Sequence, residues 1–428
     1  MIANVYRGTR EIGGTLIELS GNSRLLLDAG YPLFLNGKPI DDNAAKLPPQ
    51  ELLKAGVLPA ISGLYQWDTP GFDGIIISHA HLDHYGLLKY VHPDIPVFMS
   101  PGTQKLIEIS QLFKICPPFK INTKLFKMYE PFCAGDFDIK PYLVDHSAFD
   151  AAAFEINYEG KTVIYSGDFR GHGRKAACLD SFIRQVSKQA DVLFTEGSMV
   201  SRGDEKTITE EELEDIVVNE QKGKSGIVLI QSSSQNIDRI VSFYKAALRL
   251  GRTFAVDVYT ANVLHELHLL GSKIPYPSYD NLKVFFPYRQ TKKIFDELDE
   301  KYAKRFSKFH IPKEKVKSLQ NKLFMLVRPS MKKDLELCDL SGGTFYYSLW
   351  SGYRENAYQQ NFENFLTERG IHQIYRHTSG HAKVSDILKL INGVSPKKIV
   401  PIHTLDPEAF LEYSNKVDIK KDGVPFVI

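Results

Sequence analysis

The run Ser78-His79-Ala80-His81-Leu82-Asp83-His84 restricts the possible folds of this chain more than any other segment. It sets three imidazoles and a carboxylate directly behind Gly74-Ile75-Ile76-Ile77, an apolar run that reads as a buried strand. Side chains alternate along a strand, so His79 and His81 point to one side at its end. Asp83 and His84 follow one turn on, where a helix can begin. Four donor side chains therefore converge on one small volume. Nitrogen and oxygen donors of this kind suit Zn²⁺ or Mn²⁺, and a site with fewer protein ligands than coordination positions leaves room for a reactive water. A chance histidine cluster on a surface loop does not account for a run that abuts a core strand.

Further donors are spaced along the chain, each closing an apolar run. Asp28 ends Leu25-Leu26-Leu27, His146 follows Leu143-Val144-Asp145, Asp168 follows Val163-Ile164-Tyr165-Ser166-Gly167, and His403 ends Ile399-Val400-Pro401-Ile402. Any one of these alone reads as a satisfied structural residue. Together they read as one site where several buried strands open onto a cleft.

These motifs resemble the metallo-β-lactamase fold, whose His-x-His-x-Asp-His signature is matched by His79, His81, Asp83 and His84, with later matches at Asp28, His146 and Asp168. Within that superfamily the chain is similar to the β-CASP branch. Three further matches carry this: Glu196 in Phe194-Thr195-Glu196-Gly197-Ser198, His381 in His377-Thr378-Ser379-Gly380-His381-Ala382, and His403. Among β-CASP proteins the His-x-Ser-Gly-His-Ala stretch is most similar to ribonuclease J. Two details depart from the usual pattern, Thr404 after His403 and Gly197-Ser198 after Glu196, and neither removes a donor.

The resemblance implies an α/β protein: a four-layer αββα sandwich formed by residues 1–205 and 369–428, interrupted by an inserted α/β domain at 206–368. The residues agree with an insertion of that class. Ser225–Ile230 reads as a strand, Asn236–Leu250 as an amphipathic helix closed by Gly251, and Thr253–Val258 as the next strand, which is a parallel α/β unit. Val57–Gly71, with Pro59, Gly63 and Pro70, reads as a loop near the site. The insertion is expected to form one wall of the cleft.

The resemblance also implies a two-metal phosphodiesterase. One ion falls to His79, His81 and His146, and the other to Asp83, His84 and His403. Asp168 bridges them, with Zn²⁺ the first choice and Mn²⁺ the alternative. A hydroxide between the ions is the expected nucleophile. His381 is the candidate general acid and Glu196 its orienting carboxylate; a structural hydrogen-bond pair is the alternative for these two. Asp28 falls behind the ligands, steering one of them or the water.

The substrate is expected to be single-stranded RNA, cut 5′ to 3′ with possible internal cuts. A histidine at position 403 leans towards RNA among β-CASP enzymes. His377, Ser379 and Gly380 form a donor cluster that could cradle a phosphate. Ser233, Ser234 and Asn236 join a strand to a helix start, which reads either as an anion site or as an ordinary cap. Residues 283–333 carry fifteen Lys/Arg against five Asp/Glu, interleaved with Phe285, Phe286, Tyr288, Tyr302, Phe306 and Phe309. That mixture suits nucleic acid, but a solvated helical face with inward aromatics is the favoured reading for most of it. The rivals are a DNA nuclease in repair or defence and a small-molecule metallo-hydrolase.

Net charge is only +2 over 428 residues, so a general field for polyanions is excluded and any nucleic-acid affinity must be local. Cys116, Cys133, Cys178 and Cys338 form no C-x-x-C pair, which suggests a reducing, cytoplasmic setting. No apolar run approaches ~20 residues, so a membrane span or signal peptide is not expected. The chain has 25 residues after His403, and the expectation is a compact nuclease, monomer or dimer, without the C-terminal assembly domain usual in ribonuclease J.

Overall fold

The apolar run before the histidine motif folds as the strand Gly74–Ile76, and all three of its residues are buried. A computed structural model describes residues 1–35, 37–40, 47–202 and 207–428. They fall into two units, one of Met1–Thr207 with Gly380–Ile428, the other of Ile208–Ser379.

The first unit holds two mixed sheets. One runs Phe426–Val427, Ile2–Arg7, Leu16–Ser20, Arg24–Leu27, Gly74–Ile76, Pro96–Met99 and Asn122–Leu125. The other runs Lys398–Ile402, Val192–Glu196, Lys161–Tyr165, Ala152–Tyr158, Phe137–Leu143 and Phe132–Ala134. Alternation decides what lies between them. Ile17, Leu19, Leu25, Leu27 and Ile76 of the first sheet join Phe154, Ile156, Val163, Phe194 and Val400 of the second in one buried cluster. Each such side chain contributes about 1.5–3 kcal/mol by leaving water. The opposite face of the second sheet packs Tyr142, Ile164, Leu193 and Ile399 against Leu179 and Phe182 of the helix Ala177–Gln185 and Ile387 and Leu390 of the helix Val384–Val394. Leu26 and Ile75 face outward from the first sheet and are also buried, so both of its faces are covered. This is the αββα layering of the metallo-β-lactamase fold.

Register places the site. Leu25–Leu27 pairs in parallel with Gly74–Ile76, so both strands end at one edge. Tyr165, Phe194 and Val400 pair across three neighbouring parallel strands, Lys161–Tyr165, Val192–Glu196 and Lys398–Ile402. Residues that leave these carboxyl ends therefore meet. The chain turns sharply there, with Asp28 and His403 at φ 57° and 49° and Gly167 at φ 54°. A Cβ at Gly167 would lie 2.8 Å from the Ala152 carbonyl oxygen, so only glycine fits both the angle and the approach.

The second unit is built on seven parallel strands in the order His310–Ile311, Leu282–Phe285, Thr253–Asp257, Leu323–Leu326, Val228–Gln231, Thr344–Tyr347, His372–Tyr375. Strands such as Leu323–Leu326 are buried along their whole length, as helices on both faces require. The helix spans Ile237–Arg249 with Asn236 as its cap, and Gly251 follows at φ 65°. Two expectations change. The first strand is Val228–Gln231 rather than 225–230. The chain does not return to the first unit at 369, because His372–Tyr375 adds to the second unit's sheet beside Thr344–Tyr347 and holds the chain there to Ser379. In the basic run 283–333, Phe285 and Phe306 are buried, so part of its aromatic content is core.

Candidate metal centre

The strand ends of the first unit bring His79, His81, Asp83, His84, His146, Asp168 and His403 together, with Glu196 and His381 beside them. Donor atoms group within 4.8 Å of one another in four sets: His79, His81 and His146; Asp83, His84 and His403; His79, His84 and Asp168; and His146, Asp168 and His381. Asp168 belongs to a set with members of each of the first two triads.

His81 is the cap of a short helix, Leu82–Tyr85, so the motif turns from extended to helical chain between its second and third donors. His79 and His81 thus approach from the strand end, and Asp83 and His84 from the first helical turn. His79 Nε2 lies 3.0 Å from His81 Nδ1, which lies 3.2 Å from His146 Nε2. Nitrogen lone pairs this close repel unless a cation or a proton is shared among them. Among the described residues His84 Nε2, Asp168 Oδ2 and His403 Nε2 are buried with no hydrogen-bond partner, although His84 Nε2 stands 3.1 Å from Asp168 Oδ2. Buried polar atoms are almost always satisfied. Unsatisfied donors aimed at one volume fit divalent metal ions, and the donor set suits them.

Electrostatics agree with that fit. Burial pushes the pKa values of His79, His146 and His403 well down, and neighbouring imidazoles push further. Burial also takes His81 down to about 4. These rings are neutral, the form that ligates metal. Burial lowers His84 too, but the carboxylates of Asp168 and Asp28 outweigh it and hold the ring well above the usual histidine range. Burial raises Asp168 against the opposing pull of His84.

The remaining ring nitrogens are held from behind. Asp28 accepts from Ser78 N and Ser78 Oγ at 2.7 Å each, from the Tyr165 hydroxyl, and faces His84 Nδ1 at 2.7 Å. It is fully buried and lies outside all four donor sets. His146 Nδ1 is 2.7 Å from the Gly380 carbonyl, which leaves Nε2 towards the cluster. Thr15 Oγ1 is 3.0 Å from His403 Nδ1. Such partners fix ring orientation and tautomer. Sequence reasoning passed over Ser78, Tyr165 and Thr15. The signal for Ser78 and Tyr165 was their place at the ends of the two strands that lead into the site; Thr15 carries no such mark.

Glu196 is completely buried. Its Oε1 accepts from Phe169 N at 2.8 Å and from Ala382 N at 3.4 Å, and its Oε2 meets His381 Nδ1 at 3.1 Å. Ser198 Oγ lies 3.2 Å from the same nitrogen. Burial lowers the His381 pKa, but Glu196, Asp168 and Asp83 outweigh it and raise it to about 9.

The residues considered for phosphate contacts divide between the units: His377, Ser379, Ser233, Ser234 and Asn236 in the second, Gly380 in the first. Asn236 accepts from Arg239 N at 3.1 Å and is the helix cap, while Ser234 Oγ is engaged by Thr260 and Arg328. The side-chain oxygens of both are thus used inside the unit. His377 Nδ1 lies 3.4 Å from Arg239 Nη1.

Residues 53–216 match the β-lactamase superfamily domain, and residues 370–425 match the Zn-dependent metallo-hydrolase RNA specificity domain. The chain is 24% identical over 366 residues to ribonuclease J of Sinorhizobium meliloti, which covers 81% of this chain and 60% of that protein. It is 22% identical over 410 residues to ribonuclease J of Helicobacter pylori, which covers 92% of this chain and 55% of that protein. The chain thus spans a little over half the length of these relatives. A crystal structure of a protein of unknown function from Enterococcus faecalis superposes with a TM-score of 0.80 at 20% identity, covering 100% of this chain and 99% of that one, and so shares its fold. Fold and donor constellation define a metallo-β-lactamase-superfamily protein. Within that class the chain is similar to ribonuclease J, at 24% and 22% identity to the two relatives above.

Proposed function

We propose that this protein is a metal-dependent ribonuclease that hydrolyses phosphodiester bonds of single-stranded RNA, with two divalent ions and 5′-to-3′ polarity. The observation that carries the reading is the pair of donor triads with Asp168 in reach of both. His79, His81 and His146 would hold one ion and Asp83, His84 and His403 the other, with Zn²⁺ first and Mn²⁺ second. Ions bound there would bring the pKa of a water to about 7 and polarise a phosphoryl oxygen. Ribonuclease J relatives and the RNA specificity domain support RNA as the substrate.

The chain's own residues supply orientation and a proton. Asp28 and the Gly380 carbonyl hold His84 and His146 in the orientation that turns Nε2 inward. Glu196 holds His381 through Nδ1 and favours its charged form. His381 then gives a proton to the leaving 3′ oxygen, and the raised pKa keeps that proton in place at neutral pH. His377 and Ser379, both of the second unit, would contact a phosphate of the substrate. Soluble, cytoplasmic action fits the residues described, none of whose helices is long and apolar enough to cross a membrane.

The test is incubation with Mn²⁺ or Zn²⁺ and matched 5′-phosphorylated single-stranded RNA and DNA carrying a 3′ label. Loss of RNA with DNA spared is the expected result, and the fragment ladder gives direction. Loss of DNA alone overturns the substrate while leaving the chemistry. Inert RNA and DNA, with metal bound, overturn the nuclease reading.

A further inference from the structure

In a parallel sheet ligands gather at the carboxyl edge of the strands. At that edge of the second unit, Tyr375 ends the strand His372–Tyr375, Trp350 and Tyr353 follow the neighbouring strand Thr344–Tyr347, and Pro329 and Ser330 follow Leu323–Leu326. Here the chain exposes large rings. Trp350, Tyr353, Tyr358 and Tyr375 are 43%, 58%, 56% and 41% exposed within 26 residues. Large rings left exposed along one sheet edge point to a contact site.

The rings are ordered. Trp350 and Tyr353 meet edge to face with centroids 5.4 Å apart. Tyr375 lies between Tyr347 and His377, each 6.2 Å away, with interplanar angles of 29° and 27°. A Cβ at Gly352 would collide with the Trp350 ring, so glycine lets the indole lie over the backbone. Orientation is therefore set before any ligand arrives.

Cations stand beside one of these rings, Tyr358. A cavity of about 160 Å³ is lined by Arg289, Lys332, Lys333, Tyr358 and Asn361, among others. Nearby carboxylates are engaged elsewhere, Asp334 by Lys313 at 2.7 Å and Glu363 by Arg354. Lys332 Nζ bonds the neutral Asn361 side chain at 2.8 Å. The cavity thus keeps net positive charge next to an exposed aromatic.

We propose that this edge of the second unit is a base-stacking platform for single-stranded RNA, with Trp350, Tyr353 and Tyr375 stacking bases and Arg289, Lys332 and Lys333 meeting phosphates beside Tyr358. It extends the ribonuclease reading, on which the choice of RNA rests. Charge complementarity selects a polyanion, and exposed π-faces next to cations select unpaired bases over a duplex.

The test is the affinity of the whole protein for fluorescein-labelled oligouridylate in EDTA, where nothing is cut. Trp350→Ala weakens binding roughly tenfold, the scale of one lost stacking contact, whereas Trp350→Phe retains it. Arg289→Gln with Lys333→Gln lowers the salt slope by about 1.4, or ~0.7 for each lost phosphate contact. Trp67→Phe leaves Trp350 as the single tryptophan, and its emission quenches as RNA is added. Affinity indifferent to Trp350→Ala overturns the platform. So does self-association of the wild type that Trp350→Ala abolishes without change in RNA affinity, since the rings then face a second copy. Because binding needs no turnover, a protein that binds through Trp350 but cuts no RNA keeps the platform and loses the ribonuclease reading. One that cuts RNA and ignores Trp350 does the reverse.

Discussion

Asp28→Asn tests how far the metal centre depends on a residue outside its donor sets. The Asp28 carboxylate is fully buried and faces donors from Ser78 N, Ser78 Oγ, Tyr165 and His84. An amide has one oxygen and presents N–H₂ to at least one of those donors. Losing one or two hydrogen bonds to a buried charge costs about 1.5–3 kcal/mol each, and partial relaxation brings the expected loss to about 2–4 kcal/mol. For a unit of this size that lowers Tm by roughly 5–15 °C. His84 also loses the partner that aims its Nε2, so metal affinity falls by about 10- to 100-fold. The assay pairs thermal unfolding of the chelator-treated protein with competition between the protein and a chromogenic Zn²⁺ chelator. Unchanged Tm together with unchanged affinity would refute the argument that Asp28 orients His84. Lower Tm with normal affinity would confine Asp28 to the sheet edge.

Four further outcomes are expected. Asp168→Asn removes the carboxylate within reach of both triads and abolishes turnover; near-normal rate with metal bound excludes a site that uses Asp168. His381→Ala slows the chemical step by about 10²–10⁴-fold while metal content by elemental analysis stays at the wild-type level; loss of metal makes it a ligand and ends its acid role. Arg239→Met takes the guanidinium, 3.1 Å away, from the buried Glu210 carboxylate and costs the protein about 3–5 kcal/mol by denaturant titration, a cost that a second change, Glu210→Leu, largely relieves. Burial raises the Asp191 pKa, but bonds from Thr162 N, Lys397 and Lys161 outweigh it and bring it to about 2. A depressed carboxylate stabilises the fold above its unfolded value near 4 and loses that contribution as pH falls towards 2. Asp191→Asn is therefore less stable than wild type at neutral pH, and the gap closes on acidification; a constant gap excludes the linkage.

Much of the site was legible because chemistry and pattern coincide locally. Donors sit where apolar runs stop, and an apolar run that stops at a donor is a strand end. The motif from His79 to His84 shows this best, since the period of two and the start of a helical turn bring four donors together without long-range information. The parallel α/β unit was legible from spacing, as the helix Ile237–Arg249 with its Asn236 cap and Gly251 stop shows. The return point was not. Residues 372–375 form a half-exposed edge strand with little apolar pattern, and membership in the second sheet is fixed by pairing with Thr344–Tyr347.

Composition, the donor types and their order along the chain are properties of the sequence alone. Together they fit a divalent-metal site rather than a buried hydrophobic ligand. Which donors come within reach of one another, which carboxylate stands behind the ring of His84, and which aromatics stay in solvent were decided only by tertiary structure. Asp28 and His84 lie 56 residues apart, and Glu196 and His381 lie 185 apart. Nothing local links them. They meet because parallel register aligns the carboxyl ends of separate strands, and register is set by the burial of whole sheet faces rather than by the residues that it brings together.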